Sequence, residues 1–382
     1  MNIFCGKGII LTTPQIAYDP YDISYNPQYE KRKLFLDGTV TIQRFDTLTY
    51  PKLGVFEDLQ RGFFWNPEEI SLVKDKSDFQ NSSRAIQHIF TSNILRQTTL
   101  DSEQGRTPAM VFGPVCSVPE LEALCLAWGF FETNIHSKSY AHIIRNVYGI
   151  PKDEFDKIHQ NEAIVQMSSN IGKYYNHLYR LNCIVGSGGT VSEEEHCEAI
   201  WMALHDSYAL EAIRFMVSFA TSLGMVENKI FIGNGAIIGL ILQDEILHTE
   251  WTAYIINTLV ATDPRFAKLA KDKRVKAKVK ELYDDVIREE KAWADYLFMY
   301  GPVIGLNAQI LKDFVDYNAY YRLANIGIKY NTKHTKTNIP WFNRHVRIDK
   351  KQTALQETES TEYLIARMNT DIDLTQLPDL VI

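Results

Sequence analysis

Residues 228–260 read NKIFIGNGAIIGLILQDEILHTEWTAYIINTLV, and one helical stripe runs through them: Ile237, Ile241, Glu245, His248, Thr252 and Ile255. The spacing of three and four predicts a helix with one apolar face. A carboxylate and an imidazole interrupt that face one turn apart. The same event occurs earlier. The stripe Leu121, Cys125, Trp128, Glu132, His136, Tyr140 and Ile143 belongs to a helix read as opening at the capping-box spacing Ser117-Val-Pro-Glu120 and closing at Gly149 and Pro151. Each pair follows a lone acid on a helical stripe. Asp101, on a face with Ile86, Phe90, Ile94 and Gln97, precedes Glu132 by 31 residues, and Glu211, on a face with Leu204, Phe215 and Ser218, precedes Glu245 by 34.

A single Glu or His on an apolar face is ordinarily satisfied by a neighbour or by water. Six together are different. Four carboxylates in one core repel each other and pay several kcal/mol each in desolvation, so they protonate unless multivalent cations lie among them. Two imidazoles and four carboxylates turned inward from four helices form the ligand set of a di-iron or di-manganese carboxylate bundle. One spacing departs from Glu-x-x-His: Glu132 and His136 are four apart, Glu245 and His248 three apart. Both offsets keep the pair on one helix face, at roughly +40° and −60°, and a π-bulge would absorb the extra residue.

The remaining chain fits an all-α core. Further helices are expected at about 153–181, 192–223, 265–299 and 303–329, broken by the Gly186–Gly189 linker, Gly224, Asp263-Pro264 and Gly301-Pro302. Asp37-Gly38 between Leu34, Phe35, Leu36 and Val40, Ile42 predicts a tight hairpin in a small N-terminal appendage, residues 1–60. The helical domain spans 61–347. From 348 to 382 the composition turns to Lys, Gln, Thr, Glu and Asp, which predicts a flexible tail, and its apolar end, Leu377, Leu380, Val381 and Ile382, has the character of a docking peptide.

Composition narrows the function classes. The 382 residues carry 40 Lys+Arg against 47 Asp+Glu, a net charge of −7, which argues against a general nucleic-acid or anionic-membrane binder. Five scattered cysteines (Cys5, Cys116, Cys125, Cys183, Cys197) with no C-x-x-C indicate neither a disulfide framework nor a thiolate zinc site, and point to a reducing cytoplasmic setting. The longest apolar run outside the N-terminus, Ala236 to Leu242, is far below a membrane span.

Taken in order, Phe64-Trp65-Asn-Pro-Glu-Glu69, Leu100-Asp101-Ser-Glu-Gln-Gly-Arg106, Glu132 to His136 with Ser137-Lys-Ser-Tyr140, Ala209 to Phe215, Asp244-Glu245-Ile-Leu-His248, Lys291 to Tyr296, Ile339-Pro-Trp341 and Glu362-Tyr363-Leu364 resemble the radical-generating small subunit of class I ribonucleotide reductase, over most of the chain. The resemblance implies a ferritin-like bundle with two iron ions per chain, or manganese or a mixed pair. Asp101, Glu132 and His136 would bind one ion and Glu211, Glu245 and His248 the other, with Glu132 and Glu245 bridging. It further implies oxygen-dependent formation of a radical on Tyr140, shielded by Phe215, Phe219 and Ile241. Trp65 and Asp244 would begin a relay, and Tyr363 would pass the oxidising equivalent to the catalytic large subunit, where ribonucleotides are reduced. A homodimer is the implied assembly. Two other readings use the same residues: a ferritin-like di-metal oxidase or oxygenase with its own small substrate, and a helical scaffold whose buried acids pair with bases.

Overall fold

A computed structural model describes residues 29–346, and within them the architecture is helical: only isolated bridge pairs, Phe35 with Cys116 and Val303 with Leu306, interrupt it. In chain order the helices are α1 (Pro51–Gly62), α2 (Val73–Asn81), α3 (Arg84–Gln104), α4 (Pro119–Phe130), α5 (Ser137–Val147), α6 (Pro151–Asp156), α7 (Glu162–Gly186), α8 (Glu193–Ala209), α9 (Phe215–Glu227), α10 (Ile232–Thr262), α11 (Pro264–Leu269), α12 (Lys273–Leu297) and α13 (Ala308–Asn325). The bundle is the all-α, ferritin-like type expected. Side-chain caps start the long helices: Ser83 for α3, Asn161 for α7, Ser192 for α8, Asp272 for α12 and Asn307 for α13. Each accepts a hydrogen bond from an otherwise unpaired first-turn N–H.

Two helices wind through a π turn where an acid must face inward. Phe131–His136 joins α4 to α5, as the four-residue Glu132/His136 spacing suggested, and Leu210–Arg214 joins α8 to α9 around Glu211. The extra residue per turn rotates the face by one position without ending the helix. The combined helix Glu193–Glu227 has an apolar window long enough by composition to cross a membrane, but 94% of that window is buried inside the bundle. It is a core helix.

The start of α10 is fixed from outside. Its first turn has no cap of its own. The buried Asp75 of α2 accepts hydrogen bonds from the N–H groups of Gly233 (3.1 Å) and Asn234 (2.7 Å), and Asp78 from that of Phe231 (2.9 Å). A Cβ at Gly233 would lie 2.5 Å from the Ser71 carbonyl oxygen, so only glycine allows this approach.

Several expectations about local structure are corrected. Leu34 to Leu36 do not fold back on Val40 and Ile42 in a hairpin; they pair with 115–117, through Leu36 N–H to Val115 O (3.1 Å) and Ser117 N–H to Leu34 O (2.9 Å). That pairing buries Phe35 and Cys116, while Ile42 stays half exposed. Ser117 and Glu120 form no capping box, because Ser117 Oγ accepts from Asp37 N–H (2.8 Å) and Glu120 Oε1 from Tyr50 N–H (2.7 Å), leaving Val118 as the cap residue of α4. Gly224 does not end a helix: it sits inside α9 where a Cβ would strike Leu306, and the break comes at 228–231 instead. The helices expected at 153–181 and 265–299 are each divided, at Asn161 and at Asp272, residues that cap the second piece of each.

Candidate metal centre

The six predicted residues converge. Asp101 comes from α3, Glu132 and His136 from the π turn after α4, Glu211 from the π turn after α8, and Glu245 and His248 from α10; all six are completely buried. They form two overlapping groups. Asp101, Glu132, His136 and Glu245 offer one set of ligand atoms within 4.8 Å of one another, and Glu132, Glu211, Glu245 and His248 the other. Glu132 and Glu245 belong to both. The two imidazole rings lie 5.9 Å apart, nearly parallel.

Hydrogen bonds around the cluster fix which nitrogen of each imidazole faces inward. His136 Nε2 lies 3.0 Å from Asp244 Oδ2, and its Nδ1 faces Glu132 and Glu245, both at 3.2 Å. His248 repeats the pattern, with Nε2 3.0 Å from Gln60 Oε1 and Nδ1 2.9 Å from Glu132 and 2.8 Å from Glu245. An outward N–H held by a carboxylate or amide oxygen leaves the inward nitrogen's lone pair for a cation. Gln60 also donates its Nε2–H to Asp244 Oδ1 (3.0 Å), so one amide ties the supports of both histidines together.

The acids fit a cation for a further reason. Both carboxylate oxygens of Asp101, both of Glu245 and one of Glu211 are buried without a hydrogen-bond partner. Orphaned oxygens at this density are costly in a protein core unless something positive satisfies them. Their electrostatics show the strain. Burial, followed by the charge of Glu132, pushes the Asp101 carboxyl well above its usual range; burial, followed by Glu245, does the same to Glu211. For Glu132 and Glu245 burial works in the same direction, but the neighbouring imidazoles outweigh it and hold both below. Burial works to lower His136 and His248, yet the surrounding carboxylates keep both imidazoles well above their usual range.

The other predicted residues take up definite places. Tyr140, on α5, is fully buried, its hydroxyl has no hydrogen-bond partner, and burial together with Asp101 pushes its acidity far out of reach. Phe215, Phe219 and Ile241 are fully buried, the two rings stacked at 5.2 Å. Trp65 donates its indole N–H to Asp244 Oδ2 (3.1 Å), which completes a hydrogen-bonded line from His136 through Asp244 to Trp65. Trp65 is 7% exposed, beside Phe64 at 61%. Tyr363 and the tail lie outside the described residues.

Sequence reasoning missed two members. Trp128 donates its indole N–H to both Glu132 Oε1 and Glu211 Oε1, each at 3.1 Å. It was visible on the Glu132 stripe but read as apolar. Gln60 lay in a segment not assigned to a helix, although Pro51 followed by Leu53, Phe56 and Gln60 carries an N1 proline and a buried face at helical spacing.

Comparison with known proteins agrees with this geometry. Residues 44–338 match the family described as ribonucleotide reductase, small chain. The ribonucleoside-diphosphate reductase subunit beta of Haemophilus influenzae is 36% identical over 377 residues, covering 95% of this chain and 99% of that protein. Among solved structures, the ribonucleotide reductase R2 subunit from Clostridium botulinum superposes with a TM-score of 0.75 at 20% identity, over 86% of this chain and 98% of that one. The dimanganese(II) NrdF of Streptococcus sanguinis gives 0.63 at 19% identity, over 79% and 98%. A buried double set of acids and histidines in a helical bundle, matched along nearly the whole length of such relatives, means that this chain belongs to the ribonucleotide reductase small chain family, the beta subunit of an oxidoreductase that works with a large subunit.

Proposed function

We propose that the chain stores the oxidising equivalent used by the large subunit to reduce ribonucleotides to deoxyribonucleotides, as a radical on Tyr140. Asp101, Glu132 and His136 would hold one metal ion and Glu211, Glu245 and His248 the second, with Glu132 and Glu245 shared. The observation that carries this is the sharing: two four-residue groups of ligand atoms overlap in those two glutamates alone. Iron is the expected metal; the dimanganese(II) relative keeps manganese, or a mixed pair, as an alternative. When bound and reduced, such a pair would supply the electrons for dioxygen reduction and the oxidising power for the phenol.

The chain's own residues supply the rest. Tyr140 stays protonated in its dry site until it is oxidised; its electron then leaves toward the cluster and its Oη proton toward the Asp101 carboxylate, the acid beside the phenol. Phe215, Phe219 and Ile241 exclude water and reductants from the core around it. Asp244 accepts from Gln60 and Trp65 and faces His136 Nε2, so a proton can shift along that line as an electron moves between Trp65 and the site. Tyr363 would complete the path from the tail to the large subunit. We assign the chain to the cytoplasm as a homodimer.

The test is direct. Iron(II)-loaded protein exposed to oxygen should give a tyrosyl radical signal in electron paramagnetic resonance, and Tyr140→Phe should abolish it. An unchanged signal in the variant defeats the assignment.

A further inference from the structure

Tyr140 is one oxidisable neighbour of the acid cluster; a chain of aromatic rings also leads away from it, beginning at Trp128. Trp128, bonded to Glu132 and Glu211, has its ring 5.5 Å from that of Trp251, which also stacks on His248 at 4.6 Å. From Trp251 the next ring is Phe56 at 6.5 Å, and Phe56 stands 5.9 Å from Tyr254. Trp128, Trp251 and Phe56 are buried, whereas Tyr254 is partly exposed. None of these groups belongs to the line from His136 through Asp244 to Trp65.

The protonation chemistry along this chain is graded. Trp128 can shed its indole proton only to carboxylates already engaged in the cluster. The Trp251 Nε1–H is buried with no hydrogen-bond partner, so an oxidised Trp251 has nowhere to send a proton and stays a short-lived radical cation. Tyr254 differs in having access to water. The Lys52 ammonium 5.1 Å from its ring disfavours a bare positive hole there, but not a neutral phenoxyl formed with loss of the proton. A hole that reaches Tyr254 therefore stops.

Building on the di-metal reading above, we propose that Trp128, Trp251 and Tyr254 form a second, discharging route that drains oxidising equivalents from the cluster to the protein surface when Tyr140 does not consume them. The oxidant is dioxygen being reduced at the metal pair. One electron passes from Trp251, by way of Trp128, to the cluster; Tyr254 refills Trp251 with one electron and releases its phenolic proton to water. The residue left oxidised is Tyr254, where a solvent reductant restores it.

The experiment uses full-length, iron(II)-loaded Tyr140→Phe, exposed to oxygen with the spin trap 2-methyl-2-nitrosopropane, and peptide mass spectrometry to locate the adduct. The expected result is an adduct on Tyr254 that disappears when Trp251→Phe is added at unchanged metal content. Because Trp251 is buried, Tyr254→Phe serves as the second variant: it should remove the surface adduct and prolong a tryptophan radical, identified by the altered hyperfine pattern in protein made with ring-deuterated tryptophan. An adduct at Tyr254 that survives Trp251→Phe, or a tryptophan radical whose lifetime ignores Tyr254→Phe, overturns the route while leaving the metal centre standing. Failure of the parent chain to bind iron or form any radical overturns the metal reading, and the route with it.

Discussion

Loading the acid cluster with divalent cations should expel protons, and the number follows from the electrostatics of the site. In the metal-free chain Asp101 and Glu211 are pushed toward the neutral acid, Glu132 and Glu245 are held as carboxylates, and His136 and His248 are held as imidazolium ions. Two negative and two positive charges cancel. Four carboxylates, two neutral imidazoles and two divalent cations cancel as well, so the exchange between these limiting states releases at most four protons per chain, one each from Asp101, Glu211, His136 and His248. Each proton couples to about 1.4 kcal/mol per pH unit, so the ion pair gains at most about 5.6 kcal/mol of apparent affinity for each unit the pH rises. The sign for stability is the same for all four groups. Their folded-state pKa values are raised, so their contribution is full below the unfolded values and is lost as pH rises through the folded ones. Metal-free protein therefore weakens toward alkaline pH, and the thermal shift on loading widens. Titration with manganese(II) under argon, by calorimetry in buffers of different ionisation enthalpy, counts the protons. A count of two to four supports the reasoning; one or none, or an affinity flat between about pH 6 and 8, refutes it.

Three further substitutions test separate parts of the structure. Gln60→Leu removes the amide that supports Asp244 and His248 together, and should weaken manganese(II) binding by about 10–100-fold with the helical circular dichroism unchanged; full affinity would show that the support is dispensable. Arg96→Met leaves the buried Glu290 with only Arg214 at 3.7 Å, and should cost about 3–5 kcal/mol in urea denaturation, with most of it recovered in Arg96→Met/Glu290→Leu. A double variant no better than the single would contradict that account. Gly233→Ala drives a Cβ toward Ser71 O and Asp75 Oδ2, and should destabilise by about 1–3 kcal/mol in the same assay; a neutral effect would mean that α2 can move away.

The parts legible in the sequence were those with a period or a charge that a core does not tolerate. Glu132, His136, Glu245 and His248 stood out because ionisable groups broke apolar helical stripes, and the four-residue spacing of the first pair pointed to the π turn at Phe131–His136. The π turn at Leu210–Arg214 left no such mark, since Glu211 has no histidine partner on its own helix to reveal the extra residue. What stayed hidden depended on long-range partners. Asp37-Gly38 has the local chemistry of a hairpin, but the partner of Leu34 to Leu36 lies some 80 residues away, at 115–117. Ser117 and Glu120 had capping-box spacing, yet both side chains are used to hold the N-terminal segment. Gln60 and Trp128 are ordinary core residues by composition. Only the folded positions of Asp244, His248, Glu132 and Glu211 give them a role.

The central claim is that paired cations sit among six side chains from four segments of the bundle. Anomalous scattering at the iron and manganese edges from crystals of the metal-loaded protein tests it most directly. The account predicts two peaks per chain, one among Asp101, Glu132, His136 and Glu245 and the other among Glu132, Glu211, Glu245 and His248. Metal-replete crystals with no peak there, or with a lone peak elsewhere on the molecule, would contradict it.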